Sequence, residues 1–299
     1  FTCINGNTLC EKYFVPIRNS NPGGKAPKQP TIKLQDLLVK DQFRFHHNTE
    51  HFAKNLHKFN NEDNIVITRK IHGSSGIVSN VLVVKQLTLL EKICNWFVTI
   101  SKTEYGFVYS SGKPKSEIPK GIESNSNNWL TKNQSFYKED IWKKSLDKLK
   151  DFTEKGITLY FEIVGEGIQG ADYTYGYEHK IFIYRITHTN PDGKVLEYSW
   201  KQIKDYCFKY NLNHVQEYYQ GNFENWALKV GINPILWRDE SKLDLLSKEY
   251  LNKTYSDCKI DEGVCIRNEA TNEVFKLKSS NFIKMESDNQ ENNIIEQEN

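Results

Sequence analysis

The chain has 299 residues, of which 38% are hydrophobic and 13% aromatic, so it can bury a sizeable core in one large domain or two small ones. No apolar run approaches the ~20 residues of a membrane helix, so we expect no membrane contact. The net charge is +2, but residues 286–299 carry five acidic residues and no basic one, which leaves a basic body suited to a polyanionic partner.

The six cysteines are scattered and form no C-x-x-C pair with zinc-ligand spacing. This pattern favours free thiols in a reducing compartment, so we expect an intracellular protein, in the cytoplasm or the nucleus. The sequence shows no signal peptide. Because the first residue is Phe1 and not Met, we also expect that an N-terminal part is missing or removed.

Three regions follow from composition and patterning. Residues 1–30 read as a linker, with turn and breaker residues concentrated at 19–30. Residues 31–285 read as one regular domain, and residues 286–299 as a disordered acidic tail. Strands and helices mix without βαβ regularity, which favours an α+β class.

Within the domain, elements alternate with loops in chain order. Helical spacing occurs at 33–40, 51–59, 85–100, 136–154, 199–210 and 241–252. Strand patterns occur at 65–70, 76–84, 106–110, 157–164, 180–187, 262–267 and 273–278. We expect the first two strands to be neighbours or a hairpin, the last two to form a hairpin, and 113–133 to be a polar loop.

The sequence Lys70-Ile71-His72-Gly73 ends the first strand pattern and is the strongest candidate for chemistry. A lysine amine acts as a covalent nucleophile once it is neutral, although its pKa in water is near ~10.4. We expect nearby cations, among them Lys276, Lys278 and a divalent metal, to favour the neutral amine. K-x-x-G alone is a common chance pattern, so the assignment depends on the other motifs.

Two of these motifs are carboxylates beside apolar runs. Glu162 lies within an apolar strand, where an ionised carboxylate requires a partner such as a ribose hydroxyl or a hydrated metal, unless its face is exposed to solvent. Glu262 directly precedes Gly263 and a strand. It could bind a hydrated Mg²⁺, which needs only one or two carboxylates, or it could be an ordinary turn residue.

The remaining motifs are an aromatic strand and a lysine pair. The run from Ile181 to Ile186 carries aromatic residues that could stack on a purine, although core packing is the commoner role. Lys276 and Lys278 are two residues apart on a strand and so point the same way. Two ammonium groups on one face could hold a triphosphate, or they could simply lie in solvent.

In this fixed order, the motifs resemble those of the covalent nucleotidyltransferase superfamily of RNA ligases, DNA ligases and capping enzymes. The resemblance is strongest to ATP-dependent RNA ligases, both the class with an N-terminal OB domain and the RNA ligase 2 branch, which also has His at the position of His72. It covers roughly residues 9–285. The segment 12–16 then resembles a linker from an OB domain that this chain lacks, and since that domain assists lysine adenylation in relatives, self-adenylation would be less efficient here.

The resemblance implies a role for each matched residue. Lys70 would be the nucleophile, and Glu162 and Glu262 would bind a divalent metal, Mg²⁺ or Mn²⁺. Phe182 would stack on the purine of ATP, with Ile181 and Tyr184 as alternative matches. The resemblance further implies that Glu162 contacts the nucleotide, as do Lys276 and Lys278. Relatives usually carry a Ser-Arg pair where this chain has Ser110-Ser111-Gly112-Lys113, and Lys113 would take the place of that arginine.

The resemblance implies a nucleotidyltransferase domain of antiparallel sheets flanked by helices, ATP-grasp-like in form. It implies an ATP-dependent RNA ligase that joins 5′-phosphate and 3′-hydroxyl RNA ends through lysyl-AMP and RNA-adenylate, and we expect a monomer. The alternatives are a GTP-dependent mRNA capping guanylyltransferase, a DNA ligase and a non-catalytic RNA-binding relic.

Overall fold

The computed structural model describes residues 3–4, 7–8, 33–46, 48–112, 118–130, 137, 139–169, 178–229 and 262–291. The chain divides into two compact units, residues 1–32 and 33–299. The predicted linker 1–30 falls in the first unit, where two short strands, β1 (Cys3–Ile4) and β2 (Asn7–Thr8), pair antiparallel. The site described below lies wholly in the second unit.

The second unit combines two sheets with a few short helices. Its strands are β3 (Glu50–His51), β4 (Asn64–Lys70), β5 (Ser74–Val84), β6 (Thr103–Ser111), β7 (Gly121–Glu123), β8 (Asn128–Leu130), β9 (Ile157–Val164), β10 (Lys180–Thr189), β11 (Val195–Glu197), β12 (Glu217–Asn222), β13 (Gly263–Asn268) and β14 (Val274–Lys278). Its α-helices are α1 (Leu89–Cys94), α2 (Ile141–Leu149), α3 (Trp200–Lys209), α4 (Phe223–Lys229) and α5 (Ser280–Glu291). Short 3₁₀ turns occupy Leu34–Leu37, Phe52–Lys54, Leu56–Lys58 and Lys150–Phe152.

One sheet has the strand order β11-β10-β9-β5-β6-β7-β8, and every neighbouring pair is antiparallel. Helix α2 packs on β5 and β6 and helix α3 on β10, and the two helices bury large side chains such as Trp142, Leu146 and Trp200 in the core of this sheet. The other face of β9 carries Tyr160 and Glu162, since side chains alternate along a strand. That face borders the site.

The second sheet has the order β12-β4-β13-β14-β3, antiparallel except for the β14–β3 pair. Its own core packs β4, β13 and β14 against α4 and the 3₁₀ turns, and Phe52, Phe59 and Phe223 are fully buried there. The architecture is therefore mixed α and β with antiparallel sheets and few helices, as the α+β assignment predicted.

The predicted pairing of the first two strands is wrong. β4 pairs with β12 and β13 in the five-stranded sheet, whereas β5 pairs with β6 and β9 in the seven-stranded sheet. Ile71-His72-Gly73 carries the chain from one sheet to the other. Both strands are buried on both faces, so each finds partners from distant parts of the chain rather than from its neighbour.

Other differences concern shorter elements. β7 and β8 form within the predicted polar loop 113–133, and the predicted helix at 85–100 is reduced to the six residues of α1. β12 and α4 carry no sequence prediction, and the predicted helix 241–252 lies outside the described residues. The predicted start of the acidic tail, residue 286, falls inside α5, and residues 292–299 are not described. None of the described helices is long and apolar enough to cross a bilayer.

Candidate active site

Lys70 is the last residue of β4, and its side chain enters a cleft between the two sheets. Its Nζ lies 2.6 Å from Oε1 of Glu262, and only about a quarter of the side chain is exposed. Burial by itself lowers the pKa of Lys70, but the charge of Glu262, with a smaller contribution from Glu162, raises it above its ordinary value. The protein's own carboxylates therefore favour the ammonium form of Lys70, and the neutral amine, for which a divalent metal is one of the expected causes, stays a prediction.

Glu262 directly precedes β13, and the β13–β4 pairing brings it to Lys70. Its other carboxylate oxygen, Oε2, lies 3.6 Å from Nδ1 of His72. Burial raises the pKa of Glu262, but the ammonium of Lys70 and contacts with His72 outweigh burial and lower it to about 2. Glu262 is therefore an ionised carboxylate in a nearly closed environment.

Glu162 lies in the middle of β9 and accepts a hydrogen bond from Ser75 Oγ at 2.9 Å. Burial raises its pKa to about 7, against the lowering effects of Lys70 and Ser75, and the charge of Glu262 adds to the rise. The two carboxylates therefore come from different sheets and repel each other across one cleft.

This donor set fits a divalent cation. A cation between Glu162 and Glu262 would relieve their repulsion, and hard cations such as Mg²⁺ and Mn²⁺ accept carboxylate oxygens. Within the described part of the chain, no group of three or more His, Cys, Asp or Glu side chains is arranged to hold a metal ion. A cation here would take its remaining ligands from water or from a bound phosphate.

The two lysines of β14 lie on the same face of the strand, and both line the cleft. Lys276 is directly opposite Cys265 of β13, and Lys278 is opposite Gly263. The Nζ of Lys278 lies 2.6 Å from Oε1 of Glu286 on α5 and 5.1 Å from the centre of the Phe282 ring. These lysines add positive charge to the cleft, as the sequence predicts, but one of them already has an anionic partner.

The structure separates the candidate aromatic residues. Phe182 is directly opposite Glu162 on β10, yet the described lining of the cleft contains Tyr184 rather than Phe182. The register shifts between Ile183 and Arg185, so Tyr184 occupies a bulge. The Tyr184 ring is partly buried and meets the ring of His46 edge-on at 5.4 Å. Of the alternatives considered from sequence, Tyr184 therefore has the better access to the cleft.

Lys113, the remaining sequence candidate, lies outside the described residues. Its neighbours Ser110 and Ser111 are buried at the end of β6, and the N–H of Gly112 donates to Ser75 O at 3.0 Å. The β6 end thus lies beside the hydroxyl that contacts Glu162.

Several lining residues were not predicted from sequence. Gln169 donates from Nε2 to Gly73 O at 3.1 Å and so ties the β9–β10 connection to the loop after Lys70. Arg185 stacks on Tyr160 at 4.6 Å and makes a two-bond pair with Glu197 at 2.8 and 2.7 Å. Long-range strand pairing brings these residues to the cleft, and no local motif marks them.

Comparison with known proteins points to one family. The model of the RNA ligase family matches residues 63–284, most of the chain and every described part of the cleft except His46, Thr49 and Glu286. No curated protein sequence matches significantly.

Solved structures of RNA ligase from Naegleria gruberi share the fold. A mutant with AMP and Mn has 12% identity and a TM-score of 0.50, covering 85% of this chain and 60% of that one. An apo mutant has 13% identity and a TM-score of 0.51 with the same coverage. A mutant with ATP and Mn has 13% identity and a TM-score of 0.50, covering 84% of this chain and 60% of that one. This chain thus spans about 60% of the length of those proteins.

Proposed function

The chain belongs to the RNA ligase family, and from that premise we propose that it is an ATP-dependent ligase that joins 5′-phosphate and 3′-hydroxyl RNA ends. The observation that carries the proposal is the buried cluster at the end of β4. There the Lys70 amine contacts Glu262 at 2.6 Å in a cleft that also contains Glu162, Lys276 and Lys278. A primary amine surrounded by charged groups of both signs is suited to attack on a bound triphosphate.

In the first step, Lys70 Nζ attacks the α-phosphorus of ATP. A nitrogen–phosphorus bond forms, the bond to the β-phosphate oxygen breaks, and pyrophosphate leaves. Lys70 must first lose a proton to water, because Glu262, with a pKa of about 2, is too weak a base to accept it from the neighbouring ammonium. A divalent cation held by Glu162 and Glu262 would supply positive charge beside the phosphates.

The later steps transfer AMP. The lysine–phosphorus bond breaks as the RNA 5′-phosphate takes the AMP, and the Lys70 amine is released. The 3′-hydroxyl then attacks the activated 5′-phosphate, a phosphodiester forms, and AMP departs. Lys276 and Lys278 are placed to neutralise phosphate charge, and the aromatic residues of β10, Phe182 and Tyr184, are the candidates to stack on the purine.

The test is covalent labelling with ATP radiolabelled at the α-phosphate. We expect a labelled protein band that Lys70→Ala abolishes and Lys201→Ala retains, since Lys201 lies on the surface of α3 with 76% of its side chain exposed. Persistence of the band in Lys70→Ala would refute the assignment. Sealing of 5′-phosphorylated RNA by the labelled protein would then establish the full reaction.

The same assay separates the alternatives. Labelling by GTP and not by ATP would indicate a capping guanylyltransferase. Sealing only of nicks with a DNA 3′-hydroxyl end would indicate a DNA ligase. RNA binding without any adduct would indicate a non-catalytic relic.

A further inference from the structure

Helix α5 brings a third carboxylate into the cleft, where the proposed reaction places the triphosphate. Glu286 lines the cleft, and its Oε1 lies 2.6 Å from Nζ of Lys278. The Lys278 side chain is 12% exposed and that of Glu286 is 21% exposed, so water screens the pair only weakly.

The position of α5 is fixed by packing near its N-terminus. Phe282 is completely buried, and its ring meets that of His72 at 5.0 Å. The Phe282 N–H also donates to Ser279 Oγ at 3.1 Å, just after β14. Glu286 is four residues after Phe282 and therefore lies on the same face of the helix. The packing of Phe282 against His72, which fixes α5, therefore also directs the Glu286 carboxylate towards Lys278.

We propose that Glu286 is an internal competitor for the phosphate site, a carboxylate on α5 that occupies Lys278 and must be displaced when a polyphosphate binds. This inference rests on the proposed function, in which Lys278 contacts phosphate. Lys278 cannot keep its short contact with Glu286 and bind a phosphate oxygen without bringing two anions together, which is unfavourable in a weakly screened cleft. Displacement lowers the affinity for the nucleotide, and return of Glu286 to Lys278 favours departure of pyrophosphate.

A purely structural role for Glu286 predicts the opposite effect. If the carboxylate only holds Lys278 in position for phosphate, its removal weakens polyphosphate binding. If it competes, its removal strengthens binding. The sign of the change in affinity therefore decides between the two roles.

The experiment measures binding of inorganic tripolyphosphate and of ATP by titration calorimetry. We expect Glu286→Gln to bind tripolyphosphate about fivefold more tightly than the unmodified protein, the factor expected for loss of one weakly screened charge contact. Asp288→Asn removes the same charge from an exposed position of the same helix, and we expect its affinity to change by less than about twofold. In a Lys278→Gln background, the additional change Glu286→Gln should have little effect, since the contested ammonium is gone.

Unchanged or weaker tripolyphosphate binding by Glu286→Gln, or an equal gain in Asp288→Asn, overturns the proposal. No measurable binding of either anion by the unmodified protein also overturns it. If Glu286→Gln does not fold, Glu286→Asp withdraws the carboxylate by one methylene, and tighter binding is again required. Tighter binding without any protein–AMP adduct would support the competitor and reject the ligase function, so the two failures are distinguishable.

Discussion

At the scale of single residues, the pKa values of Glu162 and Glu262 shift in opposite directions within one cleft. Burial raises the pKa of both carboxyl groups. Glu262 is in direct contact with the Lys70 ammonium and its pKa falls to about 2, whereas Glu162 has the Ser75 hydroxyl as its hydrogen-bond donor and its pKa rises to about 7. The difference in partner, and not in burial, decides which carboxylate is ionised.

Glu162 makes stability depend on pH. Because its pKa rises from 4.5 to about 7 on folding, the folded protein binds this proton more tightly, and the free energy of unfolding falls as pH rises through that window. In Glu162→Gln, the amide side chain does not titrate in this pH range. We measure the free energy of unfolding by chemical denaturation without divalent cations. Relative to that of the unmodified protein, the free energy of unfolding of the variant should increase by on the order of 2 kcal/mol from pH 5 to pH 8. Parallel pH profiles for the two proteins would contradict the buried position of Glu162.

Gly73 permits the close approach of the loop 71–73, which follows Lys70, to β9. A Cβ at this position would lie 2.3 Å from the Ile163 carbonyl oxygen and 2.9 Å from Val164 Cγ1, so the loop and the strand would have to separate. We expect Gly73→Ala to lower the free energy of unfolding by about 1–3 kcal/mol and to reduce adduct formation, because the loop directly follows Lys70.

Gly167→Ala is the matched control for this substitution. A Cβ at Gly167 would meet no atom within 4 Å, and the change carries only the backbone strain of a φ of +75°. If both variants lose the same stability in urea denaturation and form the adduct equally well, the close approach at Gly73 has no functional importance.

Sequence reasoning identified residues that the fold gathers around one cleft, namely Lys70, Glu162, Glu262, Lys276 and Lys278. It worked because each charged residue lies within or directly beside an apolar strand pattern, which is a local signal. It did not anticipate that Tyr184 and not Phe182 lines the cleft, because the bulge depends on how β10 pairs with β9. Nor did it anticipate Gln169, whose partner Gly73 lies 96 residues away in the sequence, or Glu286, which the sequence assigned to the acidic tail.

At the scale of elements, strand positions were more predictable than strand partners. The patterns at 157–164 and 180–187 and the hairpin of β13 and β14 are strands in the structure, because runs of Ile, Val, Phe and Tyr favour extended backbone. The assignment of β4 and β5 to different sheets depends on contacts that no local pattern encodes. The chain turns between the sheets directly after Lys70, the proposed nucleophile, so the candidate site lies where local prediction fails.

Trp200 in α3 and Trp96 just after α1 differ sharply in burial. Trp200 on α3 is 1% exposed and donates from Nε1 to Glu217 at 2.6 Å, whereas Trp96, just after α1, is 85% exposed. We expect Trp200→Ala to lower the free energy of unfolding by about 3–5 kcal/mol, through lost packing and the lost hydrogen bond to Glu217. We expect Trp96→Ala to change it by less than about 0.5 kcal/mol.

Urea denaturation of the two tryptophan variants, followed by circular dichroism, checks this pair. A large loss in Trp96→Ala would show that the region around α1 is covered in solution. A negligible loss in Trp200→Ala would show that α3 contributes little to the core beneath β9 and β10.

At the scale of the whole second unit, polar contacts join the two sheets behind the cleft. Arg267 on β13 is buried, and its Nε lies 2.8 Å from Glu269, while its guanidinium donates to Tyr198 O at 2.6 Å. Glu269 in turn accepts from the backbone N–H of Trp200 at the start of α3. Because the cleft takes residues from both sheets, we expect this network to help set the separation of Glu162 and Glu262.

We therefore expect Glu269→Ala to affect both stability and the site. The change leaves a buried guanidinium without its nearest carboxylate, and breaking such a pair typically lowers the free energy of unfolding by about 3 kcal/mol or more. Asp205→Ala breaks an exposed ion pair with Lys201 on α3 and should lower the free energy of unfolding by less than about 1 kcal/mol. Folded Glu269→Ala, assayed well below its melting temperature, should also form less protein–AMP adduct than Asp205→Ala, since the sheets are no longer held in register across the cleft. If Glu269→Ala loses stability but labels at the unmodified rate, the network stabilises the fold without setting the geometry of the site.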